Sequence, residues 1–325
     1  MIEAPYPWLQ RQWRMLINVA SQGSLHHASL IAGMPGLGKL ELATAFSRAL
    51  LCERFPEGAP CDTCNRCVLT RRGTHPDLML LDWIDKATVI SVEQIRKLTE
   101  KLSLTATYGP YRIAVINKAH SMTTAAANSL LKTLEEPGAG SVIMLIADRE
   151  AELPATVRSR CQRIVVPTPE KDVALDWLKG QKLSDCEMAL DFAQGAPLLA
   201  RSHIGNLDLA RIAAIRSGWV DFVLKDGSPT ELAGLTASAL STRVSLTLFL
   251  QWTTELIKKL EFSVASGRLT SERHTIDRRY LSQAHIVLQD RMRLDNASLK
   301  TQAVLEGALA DIRMYRLRIR AENPQ

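Results

Sequence analysis

The run Gly33-Met34-Pro35-Gly36-Leu37-Gly38-Lys39-Leu40 lies between a short apolar segment, Ala28 to Ala32, and a stretch from Leu40 to Leu51 with apolar residues at helical spacing. A strand that enters a glycine-rich turn and leaves as a helix is the form of a phosphate-binding loop. Glycines let successive backbone N–H groups point into one concavity, and the lysine sets a positive charge against the terminal phosphates. Gly33, Gly36, Gly38 and Lys39 are therefore the candidate phosphate ligands. The pattern fails one residue later. A Ser or Thr hydroxyl after the lysine holds Mg²⁺, and the metal offsets charge on the transferring phosphoryl group. Leu40 has no oxygen to offer, so the loop is suited to holding phosphate and poorly equipped to cleave it. ATP binding is expected to be weak or absent.

Two more apolar runs of strand length, Arg112 to Ile116 and Ser141 to Ile146, are rich in β-branched residues and have helical patterns between them. That alternation predicts a parallel sheet covered by helices. Ser91 and Gln94 form a capping box ahead of Ile95 and Leu98, and the helix built on Ala125 to Leu134 stops at Glu136-Pro137-Gly138. After Val166-Pro167-Thr168-Pro169 the strand-like runs end, and helical segments follow, separated by breaks such as Gln194-Gly195-Ala196-Pro197 and Lys225-Asp226-Gly227-Ser228-Pro229. A chain of 325 residues is long enough for two or three compact units. The boundaries are placed near 167 and, less sharply, near 207.

Composition excludes some classes. With 46% hydrophobic and 23% charged residues the chain is an ordinary globular one, and it contains no run of eighteen uncharged apolar residues. Its start, Met1-Ile2-Glu3-Ala4-Pro5, lacks the basic opening and apolar stretch of a signal peptide, so the expected compartment is the cytoplasm, with no membrane partner. The net charge of +6 comes from forty cations dispersed among thirty-four anions. Such dispersal reads as a solvated surface, because clustering and not the total marks a nucleic-acid interface.

Four of the six cysteines form Cys52-x8-Cys61-x2-Cys64-x2-Cys67. Two-residue gaps let thiolates converge on one ion, and four sulfurs at about 2.3 Å satisfy tetrahedral Zn²⁺. The spacing favours structural zinc in a module at 52–67. A disulfide or reactive thiol and an iron–sulfur cluster are the competing uses, the disulfide being disfavoured in a reducing compartment. With every ligand supplied by protein, no position remains for a catalytic water. Cys161 and Cys186 stand alone and read as small apolar residues.

The strand after the phosphate loop of a nucleotide hydrolase ends in acidic residues that order the magnesium shell and polarise water. Here Val115-Ile116 is followed by Asn117-Lys118-Ala119-His120. Asn117 cannot supply the charge and Lys118 reverses it. Together with Leu40, three elements of a hydrolytic site are missing, which favours a chain without intrinsic ATPase activity.

The loop from Gly33 to Lys39, the four-cysteine insert, Gly73-Thr74-His75-Pro76-Asp77, Ile90 to Arg96, Ala126-Ala127-Asn128-Ser129-Leu130-Leu131-Lys132-Thr133-Leu134-Glu135-Glu136-Pro137 and Arg158-Ser159-Arg160-Cys161 resemble the bacterial sliding-clamp loaders of the AAA+ superfamily. The resemblance runs from about residue 8 to 166; beyond that it rests on helical pattern and length. ATPase subunits of the family carry Ser or Thr after the loop lysine and an Asp-Glu pair after the strand, so this chain is more similar to the non-hydrolysing subunit. It departs again at Gly195-Ala196-Pro197-Leu198, where the ATPase subunits have a nucleotide-sensing arginine; Arg201, three residues on, reads as a surface residue.

The resemblance implies a RecA-like α/β domain over 1–166 with the zinc insert, an α-helical lid over 167–207, and a helical, collar-type oligomerisation domain over 208–325. It implies a catalytically silent subunit that helps load the sliding clamp onto primed DNA. Its partners would be ATPase subunits of the gamma/tau type and a delta subunit, with the clamp and DNA reached through the complex. Ser159-Arg160-Cys161 matches the tripeptide that presents an arginine finger to ATP on a neighbouring subunit; a planar, permanently charged guanidinium can bond two phosphate oxygens as charge develops. The local alternative is that Arg160 pairs with a nearby carboxylate and Arg158 is a surface cation.

Two other functions compete with this one. An ATP-hydrolysing motor would need Lys39 active and another residue holding Mg²⁺. A zinc-dependent nucleic-acid binder would rest on Arg66, Arg71 and Arg72 without an aromatic stacking set. His75 before Pro76 reads as a turn residue, His26-His27 as packing and loop, and the basic stretches Arg278-Arg279 and Arg313 to Arg320 as solvated or subunit-facing helix. The run Leu246 to Leu250, with Trp252 and Leu256, suits either an oligomer contact or core.

Overall fold

A computed structural model describes residues 4–57, 60–82, 89–206, 209–225, 227–265, 278–293 and 300–322. The described chain divides into two compact units, 1–206 and 207–325. The softer boundary near 207, and Asp226 in the glycine-proline break, lie outside the described residues.

The first unit opens with a 3₁₀ turn at Pro7–Leu9 and helix α1 (Gln10–Ser21), then β1 (Ala28–Ala32), α2 (Lys39–Leu51), α3 (Asn65–Arg71), β2 (Leu78–Leu81), α4 (Val92–Leu102), β3 (Arg112–Ile116), α5 (Thr124–Glu135), β4 (Ser141–Ala147), α6 (Ala155–Arg158) and β5 (Gln162–Val165). Helices α7 (Lys171–Gly180), α8 (Cys186–Phe192) and α9 (Pro197–Asn206) complete it. The five strands are parallel in the order β2-β3-β4-β1-β5, as the alternation of strand and helix predicts. Strands β1, β3 and β4 are buried at every position, which is why they read as continuous apolar runs without alternation. Both edge strands were missed by that criterion. β2 is only four residues long and half-buried, and β5 buries Ile164 alone among exposed Gln162, Arg163 and Val165.

Period-two geometry then sorts the side chains. Ala28, Leu30, Ala114, Ile116, Ile143 and Leu145 share a core with Ile95 and Leu98 of α4 and Leu130 and Leu134 of α5. Helix α2 crosses β1, β3 and β4. The capping box of α4 is formed: Ser91 Oγ accepts from the Gln94 N–H at 3.4 Å and Gln94 Oε1 from the Ser91 N–H at 2.8 Å.

The second unit contains α10 (Leu209–Lys225), α11 (Pro229–Ala237), α12 (Thr242–Ala265), α13 (Arg278–Arg293) and α14 (Thr301–Glu322). Leu246, Phe249 and Trp252 are buried within it, Phe249 stacked on Trp219 with ring centroids 4.4 Å apart, so these residues of the apolar run of α12 are core. Arg316 of α14 donates to the carbonyls of Phe222 and Leu224, satisfying the C-terminal end of α10.

The turn into β4 tests the sheet packing. Gly140 has φ +73°, and a Cβ there would collide with the carbonyl oxygen of Pro110, while its own carbonyl accepts from the Arg112 N–H at 2.9 Å. Gly140→Ala adds a left-handed backbone cost of about 1–2 kcal/mol and an overpacking cost of about 1–3 kcal/mol. Urea denaturation should therefore show a loss of roughly 2–5 kcal/mol, and a loss below about 0.5 kcal/mol, the range of an ordinary surface change, would contradict this packing.

Candidate functional site

The carboxyl ends of β1, β4 and β5 converge on the glycine loop, the edge at which open parallel sheets bind ligands. Gly36 (φ +75°) and Gly38 (φ +81°) adopt backbone that disfavours other residues, and each is also covered. A Cβ at Gly36 would lie 2.5 Å from the Leu199 Cβ, and one at Gly38 would lie 2.6 Å from the Tyr6 ring. Leu198 donates its N–H to the Gly36 carbonyl at 3.1 Å, and the Trp8 indole donates to the Leu37 carbonyl at 2.9 Å. Tyr6 stacks on Trp8, and both meet Trp177 of α7 edge-on. Thus α9 leans on one side of the loop and the aromatic N-terminal segment on the other. Leu198 contributes its backbone hydrogen bond to Gly36 and no charge.

Lys39 does not project into solvent. Its side chain is 3% exposed, and Nζ lies 2.6 Å from Asp148 Oδ1 and 2.5 Å from the Met34 carbonyl oxygen. Asp148 directly follows β4. The corresponding position after β3 is Asn117, which donates to Asp82 Oδ2 at 3.1 Å and accepts from the Lys118 N–H at 3.0 Å; Lys118 itself is left-handed at φ +50°. His120 accepts the Asp148 N–H through Nδ1 at 3.4 Å, and burial pushes its pKa below the ordinary imidazole value despite the pull of Asp148.

Arg160 lies on the surface, its side chain 36% exposed, at the rim of an open cleft of ≈ 580 Å³ shared with Ser24, His26 and His27. The local pairing considered from sequence is present: Nε donates to Glu135 Oε1 at 2.8 Å and Nη2 lies 2.6 Å from the same oxygen. Nη1 donates to the Thr156 carbonyl at 2.9 Å. Arg158 differs from the surface cation expected of it. It is half-buried, and its Nε has no hydrogen-bond partner.

The four clustered cysteines come from the end of α2, the start of α3 and the loop between them, which carries Cys61. Cys52 ends α2, Cys64 caps α3 by accepting the Cys67 N–H, and Cys67 sits inside α3. All four Sγ atoms lie within 4.8 Å of one another, and the Cys61–Cys67 pair is 4.0 Å apart, close to the ~3.8 Å edge of a tetrahedron with metal–sulfur bonds of about 2.3 Å. Backbone N–H groups of Arg54, Cys61, Cys64 and Cys67 point at the sulfurs. The donor set fits a dication. Hydrogen bonds from the Thr63 hydroxyl and then the Cys64 N–H hold the Cys61 thiol at about 5, whereas burial pushes Cys67 up to about 12.

A protein-family model described as DNA polymerase III, delta subunit, matches residues 8–170, half of the chain. The DNA polymerase III subunit delta′ of Haemophilus influenzae is 34% identical over 71% of this chain and 71% of its own length. This chain belongs to the DNA polymerase III delta′ family. The delta′ subunit of Pseudomonas aeruginosa is 35% identical over 62% of each chain, and that of Escherichia coli is 39% identical over 53% of this chain and 52% of its own. The matches with these two span less than two thirds of the relatives' length.

Other residues singled out from this delta′ family sequence have structural surroundings. His75 Nδ1 accepts the Asp77 N–H at 3.1 Å, as a turn histidine does; burial pushes its pKa below the ordinary imidazole value, and Nε2 has no hydrogen-bond partner. Asp77, fully buried, accepts the N–H groups of Thr107 and Tyr108 at 2.8 and 2.7 Å. His26 and His27 stack on each other, and His27 Nε2 meets the Leu134 carbonyl at 2.8 Å. Cys161 packs against the sheet core, Cys186 is buried, and exposed Arg201 sits 5.5 Å above the Trp177 ring. Sequence reading missed Asp148, Glu135, Tyr6 and Trp8. Asp148 had one available signal, an acid immediately after an apolar strand at the ligand-binding edge; the others are visible only in three dimensions.

The sulfur cluster generates a pH dependence. Thiols must lose protons to bind a dication, so affinity rises with pH through their titration and falls on acidification. Gently purified protein should carry about one zinc per chain, with release shifted to higher pH in Cys67→Ser. Elemental analysis across a pH series checks this, and a chain folded and metal-free at neutral pH would oppose it.

Proposed function

We propose that this chain is a catalytically silent subunit of the bacterial DNA polymerase III clamp loader, lending Arg160 to ATP bound on a neighbouring subunit while the sliding clamp is loaded onto primed DNA. The observation that carries the reading is the contrast between its two phosphate-directed cations. Lys39 is 3% exposed, paired with Asp148 and followed by Leu40, whereas Arg160 is 36% exposed and held by the half-exposed carboxylate of Glu135. An exposed pair is worth about 0.2–1 kcal/mol, so Arg160 can exchange Glu135 for a phosphate cheaply, whereas a phosphate reaching Lys39 would first have to displace Asp148 from a site with little water.

The remaining parts take roles consistent with this. Residues 1–166 form the AAA+ domain, 167–207 the lid and 208–325 the oligomerisation domain, with gamma/tau-type ATPase subunits and a delta subunit as partners. Cys52, Cys61, Cys64 and Cys67 hold a structural Zn²⁺ that ties the end of α2 to α3. Gly33, Gly36, Gly38 and Lys39 form a degenerate phosphate loop with weak or no ATP affinity. The delta′ names of its relatives support the assembly in which these roles apply.

Steady-state ATP hydrolysis with clamp and primed DNA tests the reading. The chain alone should be silent, and ATPase partners completed by it should be stimulated. Arg160→Ala should lower turnover at the affected site by roughly 10³-fold, with little rescue by Arg160→Lys because an ammonium lacks the planar fork. Unchanged turnover with Arg160→Ala removes the finger assignment, and hydrolysis by the pure chain that depends on Lys39 makes it a motor.

A further inference from the structure

We infer that Asp148 is a built-in substitute for phosphate, a carboxylate that occupies Lys39 and closes the glycine loop to polyphosphates, ATP among them. The inference rests on reading Gly33–Lys39 as a phosphate loop and is independent of Arg160.

An ammonium has three donors and no acceptor. Two directions of Lys39 are filled, one by Asp148 Oδ1 at 2.6 Å and one by the Met34 carbonyl at 2.5 Å, with 3% of the side chain exposed. The carboxylate is not a chance surface neighbour. Ala147 pairs in register with Ala32, and the Gly33 N–H donates to the Ala147 carbonyl at 3.3 Å, so the residue after β4 is delivered beside the first glycine of the loop. The Asp148 N–H is in turn held by His120 Nδ1. Asp148 keeps 23% of its side chain exposed, so it stands at the mouth of the site with Lys39 behind it.

A carboxylate here acts twice against a polyphosphate. It neutralises the charge that would attract the ligand, and its own charge repels the incoming oxygens. Replacing it with the equally sized amide removes both effects and keeps a hydrogen-bond acceptor for Lys39. Leu199 over Gly36 and Tyr6 over Gly38 are untouched by that change, so the phosphate pocket can be tested separately from any space for a nucleoside.

Isothermal titration of the full chain with inorganic tripolyphosphate and with ATP compares the unaltered protein, Asp148→Asn, and Asp148→Asn combined with Lys39→Met; Asp148→Ser serves if the amide variant misfolds by circular dichroism. The expected result is tripolyphosphate affinity at least about tenfold tighter in the single variant, abolished in the double variant. A parallel gain for ATP extends the site to nucleotides, and a gain for tripolyphosphate alone assigns the remaining block to Tyr6 and Leu199. The inference is overturned if folded Asp148 variants bind neither probe more tightly than the unaltered chain. It is equally overturned if the double variant keeps the gain, or if the unaltered chain already binds as tightly as Asp148→Asn. No partner or turnover enters this measurement, so its failure leaves the Arg160 reading standing, and the reverse also holds.

Discussion

Close packing against the three glycines of one loop organises the first unit. At Gly33 the carbonyl of Val166 stands where a Cβ would be, at Gly36 the Leu199 side chain, and at Gly38 the Tyr6 ring. Three segments far apart in sequence thus reach one turn because glycine leaves room for them. The hydrogen bonds from Leu198 and Trp8 to loop carbonyls, and from Val166 to Ala32 at 2.8 Å, fasten the same segments. Beneath them the buried Lys39 ammonium is paired with the partly exposed Asp148, without which its charge would be costly to bury. The Lys39 ammonium at the end of this loop is occupied by Asp148 and the Met34 carbonyl of the protein itself.

A second network holds the far side of the sheet. Asp77 is removed from water, and its carboxylate is satisfied by two backbone N–H groups of the turn before β3, with Arg112 Nη2 at 3.5 Å. That turn also meets the sulfur module, since Arg66 of α3 approaches Gly109 (φ +84°) closely enough that a Cβ there would lie 2.7 Å from its Nη1. A metal bound by Cys52, Cys61, Cys64 and Cys67 would set the position of α3, and through Arg66 that of the loop anchored by Asp77.

The interior strands were legible because burial on both faces leaves an unbroken apolar run, as in Arg112 to Ile116 and Ser141 to Ala147. Edge strands carry no such constraint. Gln162 to Val165 exposes three of its four residues and looks polar until β1 is seen beside it. Helix ends were legible where chemistry is local, as with Ser91 and Gln94. In the candidate site, the loop glycines, Lys39, the cysteines and Arg160 were singled out by spacing and residue type. Asp148 and Glu135 did not, because an ion pair between residues 109 or 25 positions apart has no local signature.

The sequence by itself determined the chemistry that is possible: a loop able to receive phosphate but lacking the Mg²⁺ hydroxyl at Leu40 and acids at Asn117 and Lys118, four thiols spaced for one ion, and an arginine in a recognisable tripeptide. Tertiary structure decided which of those groups is available. Parallel register carries Asp148 to the buried Lys39, while the end of α5 places Glu135 against Arg160 nearer solvent. The difference is one of dielectric. The Lys39–Asp148 pair is screened less by water than the Arg160–Glu135 pair because Lys39 is buried, while both partners of the other reach solvent.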